Sequence, residues 1–296
     1  MAVYQHPEFI FEKRGSLSIH VVRTLAQELM PSIASDPDHF FRLAGCEIIK
    51  DQRKIKVARV KIDIYGDTKT VYIKRYNAFS WRYRFGSIFQ SSRAVKSLRG
   101  AVILSEAGMF TARPLAAVDS RSWGMLNGSF FLTEEIENGK TADAYWREEL
   151  LTMKGKEGLR RRNCFLGALG ELFRCLHKQG LYHNDLKDAN ILVQLGAGGS
   201  AERFYLLDLE GIRRYRKLNR RRQIKNLVQL NRTLGKYLRA ADKLRFLEGY
   251  LGTAFSKRID KREWVTRVLR QSIRLDYRRN TEGSSIAMAG NAARES

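Results

Sequence analysis

The stretch GLYHNDLKDANILV, residues 180–193, constrains the chain more than any other. It puts His183, Asp185, Lys187, Asp188 and Asn190 in one short turn between an apolar helical pattern and an apolar strand. Structured loops held by rigid elements are where binding and catalytic groups concentrate. Upstream, NCFLGALGELFRCLHKQG carries Phe165, Leu169, Leu172, Phe173 and Leu176 on one helical stripe, and Gly180 stops it. Downstream, NILV and FYLLDLE are short apolar strands joined by the Gly-rich QLGAGGSAE. The remainder, to about residue 279, reads as helical and basic, and residues 281–296 read as a loose polar tail.

The first half has a different period. CEIIK, KIKVARVKIDIY and KTVYIKRY are rich in β-branched and aromatic residues and predict an antiparallel meander. SSRAVKSLRGAVILSEAG places Ala94, Leu98, Ala101, Val102 and Leu104 at helical spacing and ends at Gly108. PLAAVDS and SFFLTEE predict a further strand pair. Residues 45–135 therefore read as a small sheet carrying one helix. Residues 1–44 form an N-terminal extension, in which SLSIHVVRTLAQELM is read as a short helix, and residues 136–280 form a mainly helical second part.

Phosphoryl transfer from ATP needs a base near the accepting hydroxyl, oxygen ligands for Mg²⁺ and cations for the phosphates. Asp185 can orient the hydroxyl and accept its proton. Asn190, five residues on, offers a neutral oxygen to the metal, and Asp208 in LLDLEG offers an anionic one. Lys187, two residues beyond the base, can reach the γ-phosphate. His183 braces the loop backbone. Taken in order, VYIK, HNDLKDAN and DLE correspond to the strand lysine, catalytic loop and metal aspartate of protein kinases. They predict an α+β, two-lobed protein-kinase-like fold with a small antiparallel sheet in the N-lobe and a mainly helical C-lobe. Lys74 would reach the α- and β-phosphates; the one Glu available to pair with it is Glu106 at the end of the following helix, which could equally be a capping or surface residue. In FFLTEEIENG, adenine would bond the Glu134 carbonyl and the Ile136 N–H, with Thr133 at the back of the pocket.

Two departures from the kinase pattern stand out. No G-x-G-x-x-G lies between the first two strands of the meander; IIKDQRKIK stands there, and Lys50, Arg53 and Lys54 could cover phosphates by charge. The second residue after Asp208 is Glu210 rather than glycine, a carboxylate that could bind a second metal or face solvent.

The chain resembles the lipopolysaccharide kinase (Kdo/WaaP) family over roughly residues 45–250. The resemblance rests on WRYRFGSIFQSSRAVKSLRGAVILSEAGMFTARPLA, LYHNDLKDANILV, FYLLDLEGIRR and RRRQIKNLVQLNRTL, with TARPLA and KNLVQLN the more specific stretches. It implies phosphorylation of an inner-core sugar of lipopolysaccharide, heptose or Kdo, using ATP and Mg²⁺ at the cytoplasmic membrane face. It also implies Asp185 as base, Asn190 and Asp208 as metal ligands and Lys74 as the ATP lysine. Independently, no Ala-Pro-Glu and no Ser or Thr lies between Asp208 and Thr233, where a protein kinase builds its peptide platform. That argues for a non-peptide acceptor.

Fifty-four Lys and Arg against 31 Asp and Glu leave a net charge of +23, too large for solubility alone, and point to an anionic partner. FSKRIDKREWVTRVLRQSIRLDYRRN, residues 255–280, combines nine cations with a stripe of Trp264, Val265, Val268 and Leu269. With RRYRKLNRRR, it predicts charge-driven binding to an anionic membrane surface, the apolar stripe packing inward. There is no run of about 18 apolar residues and no leader of signal-peptide type, so the expected location is the cytoplasm, peripheral to the inner membrane face. Cys46, Cys164 and Cys175 lack CxxC spacing, which disfavours zinc, and the last two fall in a helical pattern as core thiols. Three alternatives stay open: an atypical kinase acting on protein or another small molecule, an RNA-binding kinase-like protein, and a catalytically inactive binding module. Nucleic acid is the weaker partner.

Overall fold

The computed structural model describes residues 4–196 and 202–292, with side chains as far as Arg278. The chain divides into two units, Met1–Gly139 with Tyr205–Arg213, and Lys140–Phe204 with Arg214–Ser296.

The first unit is built on a seven-stranded antiparallel sheet in the order β1-β2-β7-β8-β5-β4-β3. Its strands are β1 (Phe9–Arg14), β2 (Leu17–Val22), β3 (Glu47–Gln52), β4 (Ile55–Ile64), β5 (Asp67–Asn77), β7 (Pro114–Ser122) and β8 (Met125–Glu134), with a short β6 (Phe110–Thr111) between the last helix and β7. The meander β3–β4–β5 is as expected. The N-terminal segment differs from expectation. SLSIHVV is strand, not helix, and pairs with β1 on one side and β7 on the other. The segment is covered on both faces, with Ile19 and Val21 fully buried and His20 and Val22 nearly so, and β-branched residues suit a pleat better than a helix. Helix α1 (Ala26–Ser35) begins only after it. Residues before 45 are thus integral to the sheet, which is larger than the small one expected.

Two helices follow β5: the short α2 (Trp81–Gly86), which buries none of its residues, and α3 (Arg93–Glu106). Ser92 caps α3 by accepting the Val95 N–H at 3.0 Å. The predicted stripe of Ala94, Leu98, Ala101, Val102 and Leu104 is buried. Gly100 sits where α3 meets the residues after Asp208; a Cβ there would lie 2.3 Å from the Leu209 carbonyl oxygen. Tyr205 and Leu206 run parallel to Phe110 and Thr111, bringing the chain back into this unit just before Asp208.

The second unit contains β9 (Lys140–Thr141), α4 (Ala142–Tyr145), α5 (Gly155–Lys178), β10 (Leu181–His183) and β11 (Ile191–Leu195), with β9 antiparallel to β11. After β12 (Glu202–Leu206) and β13 (Ile212–Arg214) come α6 (Arg220–Arg232), α7 (Ala240–Leu251) and α8 (Arg258–Ala292). Trp146, Phe165 and Phe173 are wholly buried; Phe165 packs against Trp146, and Phe173 meets Phe246 edge-on. Cys164 is exposed and Cys175 half-buried, so neither is the core thiol expected; the buried stripe of α5 runs through Phe165, Leu169 and Phe173 and leaves both at its margin. Of the α8 stripe, Trp264 is buried against Tyr250 but Leu269 is exposed. The expected loose tail is helical as far as Ala292, while residues 293–296 and most of the Gly-rich loop, 197–201, lie outside the described residues.

Candidate functional site

In the first unit, β5 alternation places Tyr72, Lys74 and Tyr76 on one face, while Val71 and Ile73 enter the core. The Lys74 ammonium donates to Asp208 Oδ1 at 2.6 Å and lies 5.3 Å from the centre of the Tyr76 ring. Burial opposes its charge, but Tyr76, Asp208 and Glu210 outweigh burial and raise its pKa. Tyr76 is itself buried and pushed up by burial, so at neutral pH its phenol is uncharged and the two carboxylates carry the effect. Asp208 has left-handed backbone, φ +57° and ψ +57°, a conformation that Asp tolerates better than bulkier residues.

Glu210, partly exposed, is paired within the unit. Arg93, at the start of α3, holds it with two parallel hydrogen bonds of 2.5 and 2.6 Å, and the guanidinium stands 4.7 Å from the centre of the Tyr76 ring. Lys74, Arg93, Asp208 and Glu210 thus form a four-charge cluster around one buried ring. The hydrogen bond to Glu210 raises the Arg93 pKa further. Arg93 and Tyr76 carried no signal in the sequence as functional residues, because their partner lies more than a hundred residues away.

Glu106 is not the partner of Lys74. It is the last residue of α3, with a carboxylate 4.0 Å from His6 Nε2, and the acids that act on Lys74 are Asp208 and Glu210. Thr133 and Glu134 end β8, opposite Tyr72 and Val71, and the Glu134 carboxylate pairs with Arg113 at 3.2 Å. Ile136 follows outside the ladder, and its carbonyl accepts from Gly139 N–H. In place of a glycine-rich loop the first unit has the exposed edge strand β3, bulged between Ile48 and Lys50.

In the second unit the loop after β10 closes on itself. Lys187 Nζ donates to Asp185 Oδ2 at 2.7 Å. The Asn190 amide nitrogen donates to the Asp185 carbonyl at 2.7 Å and to its carboxylate at 3.1 Å. Both bonds use the amide nitrogen of Asn190, not its oxygen. His183 is wholly buried, and its Nδ1 accepts the Asp185 N–H at 3.2 Å, the bracing role expected of it. Asp188 is a structural acid, accepting the Ala189 N–H at 2.8 Å; burial raises its pKa. Gly180, with φ +71°, sets the entry to β10: its carbonyl accepts from Tyr215 N–H, and a Cβ would lie 2.0 Å from the Tyr215 oxygen.

Helix α6 holds this loop from behind. Asn226, wholly buried, donates to the His183 carbonyl at 2.6 Å and accepts from His177 at 3.1 Å. Gln229 accepts the Leu186 N–H at 3.2 Å and donates to the Asn184 carbonyl at 2.6 Å. The Thr233 hydroxyl receives the Asp188 N–H at 3.4 Å. In the sequence, KNLVQLN stands out only as a family mark. The available signal was spacing: Asn226, Gln229 and Thr233 recur at i, i+3 and i+7, polar residues on one face among buried Leu227, Val228 and Leu230.

The model of the lipopolysaccharide kinase (Kdo/WaaP) family matches residues 50–250. No curated protein matches the chain. A solved structure, "WaaP in complex with acyl carrier protein", superposes with a TM-score of 0.57 at 20% identity, covering 81% of this chain and 92% of that one. That likeness establishes the α+β, two-lobed protein-kinase-like fold.

Proposed function

The chain belongs to the lipopolysaccharide kinase (Kdo/WaaP) family, and from that premise we propose that it transfers the γ-phosphate of ATP to a hydroxyl of an inner-core sugar, heptose or Kdo. One observation carries the reading: Asp185 is held by Lys187 and Asn190 on a loop whose backbone is fixed by Asn226, Gln229 and Thr233. A base must be positioned before it can be useful. The Asp185 carboxylate, nearly half exposed, orients the acceptor hydroxyl and takes its proton. Lys187 stands beside it to meet the γ-phosphate. Lys74 serves the α- and β-phosphates, and Thr133, Glu134 and Ile136 would receive the adenine.

The donor set fits Mg²⁺, which prefers hard oxygens. Asp208 supplies an anionic oxygen and Asn190 an amide oxygen, left for a cation because the amide nitrogen makes both bonds to Asp185. When bound, the metal neutralises charge on the phosphates. Glu106 has no part in nucleotide binding in this reading. The base of the catalytic loop, the metal aspartate and the strand lysine are all present, which disfavours an inactive binding module. The basic α8 and the RRYRKLNRRR run support a peripheral position on an anionic membrane face, next to a lipid-anchored acceptor.

The test is phosphate transfer from labelled ATP to lipopolysaccharide lacking core phosphate, with casein and RNA as alternative acceptors. Mass spectrometry of lipopolysaccharide from a deletion strain then names the sugar. One phosphate lost from one inner-core sugar is the expected result; transfer to casein alone would overturn the reading.

A further inference from the structure

The stretch WRYRFGSIF repeats an aromatic every fourth residue: Trp81, Phe85 and Phe89. Such a stripe ordinarily marks a face turned into a core. Here it faces outward. Trp81 is 73% exposed, Phe85 58% and Phe89 78%. A fourth ring, Trp123, is 95% exposed at the tip of the hairpin between β7 and β8. That tip is a two-residue turn, with Ser122 opposite Met125, and both Trp123 (φ +53°) and Gly124 (φ +77°) are left-handed. A tryptophan in that backbone region is uncommon, and no described residue covers the ring.

The stripe and the hairpin tip are tied together. Arg121 donates to the Ser87 carbonyl at 3.0 Å and to the Gly124 carbonyl at 2.9 Å through one nitrogen, and to the Gln90 carbonyl at 3.4 Å through the other. The Ser87 hydroxyl receives the Leu126 N–H at 2.8 Å, and Arg84 donates to Asn127 at 2.7 Å. Four exposed rings therefore stand on one braced surface of the first unit. Isolated exposed apolar residues need no explanation, but a fixed group of large rings marks an interaction surface.

Charge identifies the partner. From residue 68 to residue 105 the chain has no Asp or Glu; of its eight Lys or Arg, Lys74, Arg75 and Arg93 pair with acids from other segments, while Arg82 and Arg84 stand between the rings. We propose that Trp81, Phe85, Phe89 and Trp123 form a face that inserts into the headgroup layer of an anionic bilayer, with the flanking cations on lipid phosphates. Tryptophan and phenylalanine beside arginine are the composition of interfacial segments. The rings project from a helix face and a hairpin tip, which suits a planar surface better than stacking on single bases. No helix among the described residues is long and apolar enough to cross a membrane. This inference rests on the reading of a lipid-anchored acceptor. It also changes the expected binding: charge alone is released by salt, whereas inserted rings leave a salt-resistant share.

The test uses the full chain and vesicles of phosphatidylethanolamine and phosphatidylglycerol with brominated acyl chains, which quench tryptophan at the bilayer. Trp146 and Trp264 are buried, so quenching reports Trp81 and Trp123. Quenching is expected to persist at about 1 M salt, where the Debye length is about 3 Å. The triple variant F85S/F89S/W123S is expected to bind these vesicles about tenfold or more weaker and to lose the salt-resistant share. Its MgATP binding and its transfer to detergent-dispersed acceptor should match wild type. Absence of quenching, a triple variant that binds like wild type, or displacement of vesicles by short RNA at equal charge would overturn the proposal. Quenching without kinase activity would instead leave this face standing and remove the proposed acceptor.

Discussion

Asp185 can be separated experimentally from the residues that hold it. Asp185→Asn keeps the shape of the loop and removes the base, so transfer should fall by about 10²–10⁴-fold while ATP still binds. Steady-state turnover and nucleotide titration check this, and full activity would remove the assignment. The two metal ligands differ in kind. Asp208→Ala should weaken Mg²⁺-ATP binding more than Asn190→Ala does, because an anionic oxygen holds a hard cation more strongly than an amide. Asp208→Ala also leaves Lys74 without its 2.6 Å partner, which adds to the effect. Equal affinities of the Asp208 variant and wild type in a Mg²⁺-ATP titration would exclude Asp208 as principal ligand.

Among the elements, two helices determine where functional groups stand. Helix α3 approaches the segment after Asp208 so closely that Gly100 admits no side chain. Gly100→Ala would push α3 off Leu209 and disturb the Arg93–Glu210 pair, for a loss of about 1–3 kcal/mol of stability despite the better helix propensity of alanine. Chemical denaturation measures it, and a stabilised variant would show that the segment yields freely. Helix α6 anchors the catalytic loop through Asn226, which in turn rests on His177. Burial pushes the His177 pKa down to about 4, from 6.5 in the open chain. Between those values the unfolded chain binds the extra proton. Stability from this residue is therefore complete above pH 6.5 and lost as pH falls towards 4, by about 3 kcal/mol at most. His177→Gln keeps a side chain able to bond Asn226 but does not titrate. Its denaturation midpoint should vary less with pH over that window, and an unchanged pH profile would contradict the assignment.

For the whole molecule, the excess of 23 positive charges governs what the protein approaches. Between Lys257 and Arg279 lie nine cations, each contributing about 1 kcal/mol near an anionic leaflet at most. Binding to anionic vesicles at low salt should therefore be strong, and binding to neutral vesicles should fall to the share that the inserted rings supply. Replacing Arg262, Arg270 and Arg274 by Gln should reduce the low-salt affinity and its salt dependence while leaving the salt-resistant share intact. Vesicle sedimentation across a salt series reads both. No binding at low salt would leave a soluble acceptor as the better account.

The sequence by itself determined the parts whose cause is local. Period fixed α3, α5 and the β3–β4–β5 meander, and the short spacing of HNDLKDAN brought Asp185, Lys187 and Asn190 together, since residues five apart in one loop cannot be far from each other. Lys74 and Asp208 were identified separately by their motifs, but their ion pair joins residues 134 apart and appears only in the fold. Tertiary structure decided the partners. It gave Lys74 to Asp208 instead of Glu106, gave Glu210 to Arg93, and turned the WRYRFGSIF stripe towards solvent. It also made SLSIHVV a strand, because two neighbours were waiting to pair with it. Periodicity states that a face is apolar; only packing states what, if anything, covers it.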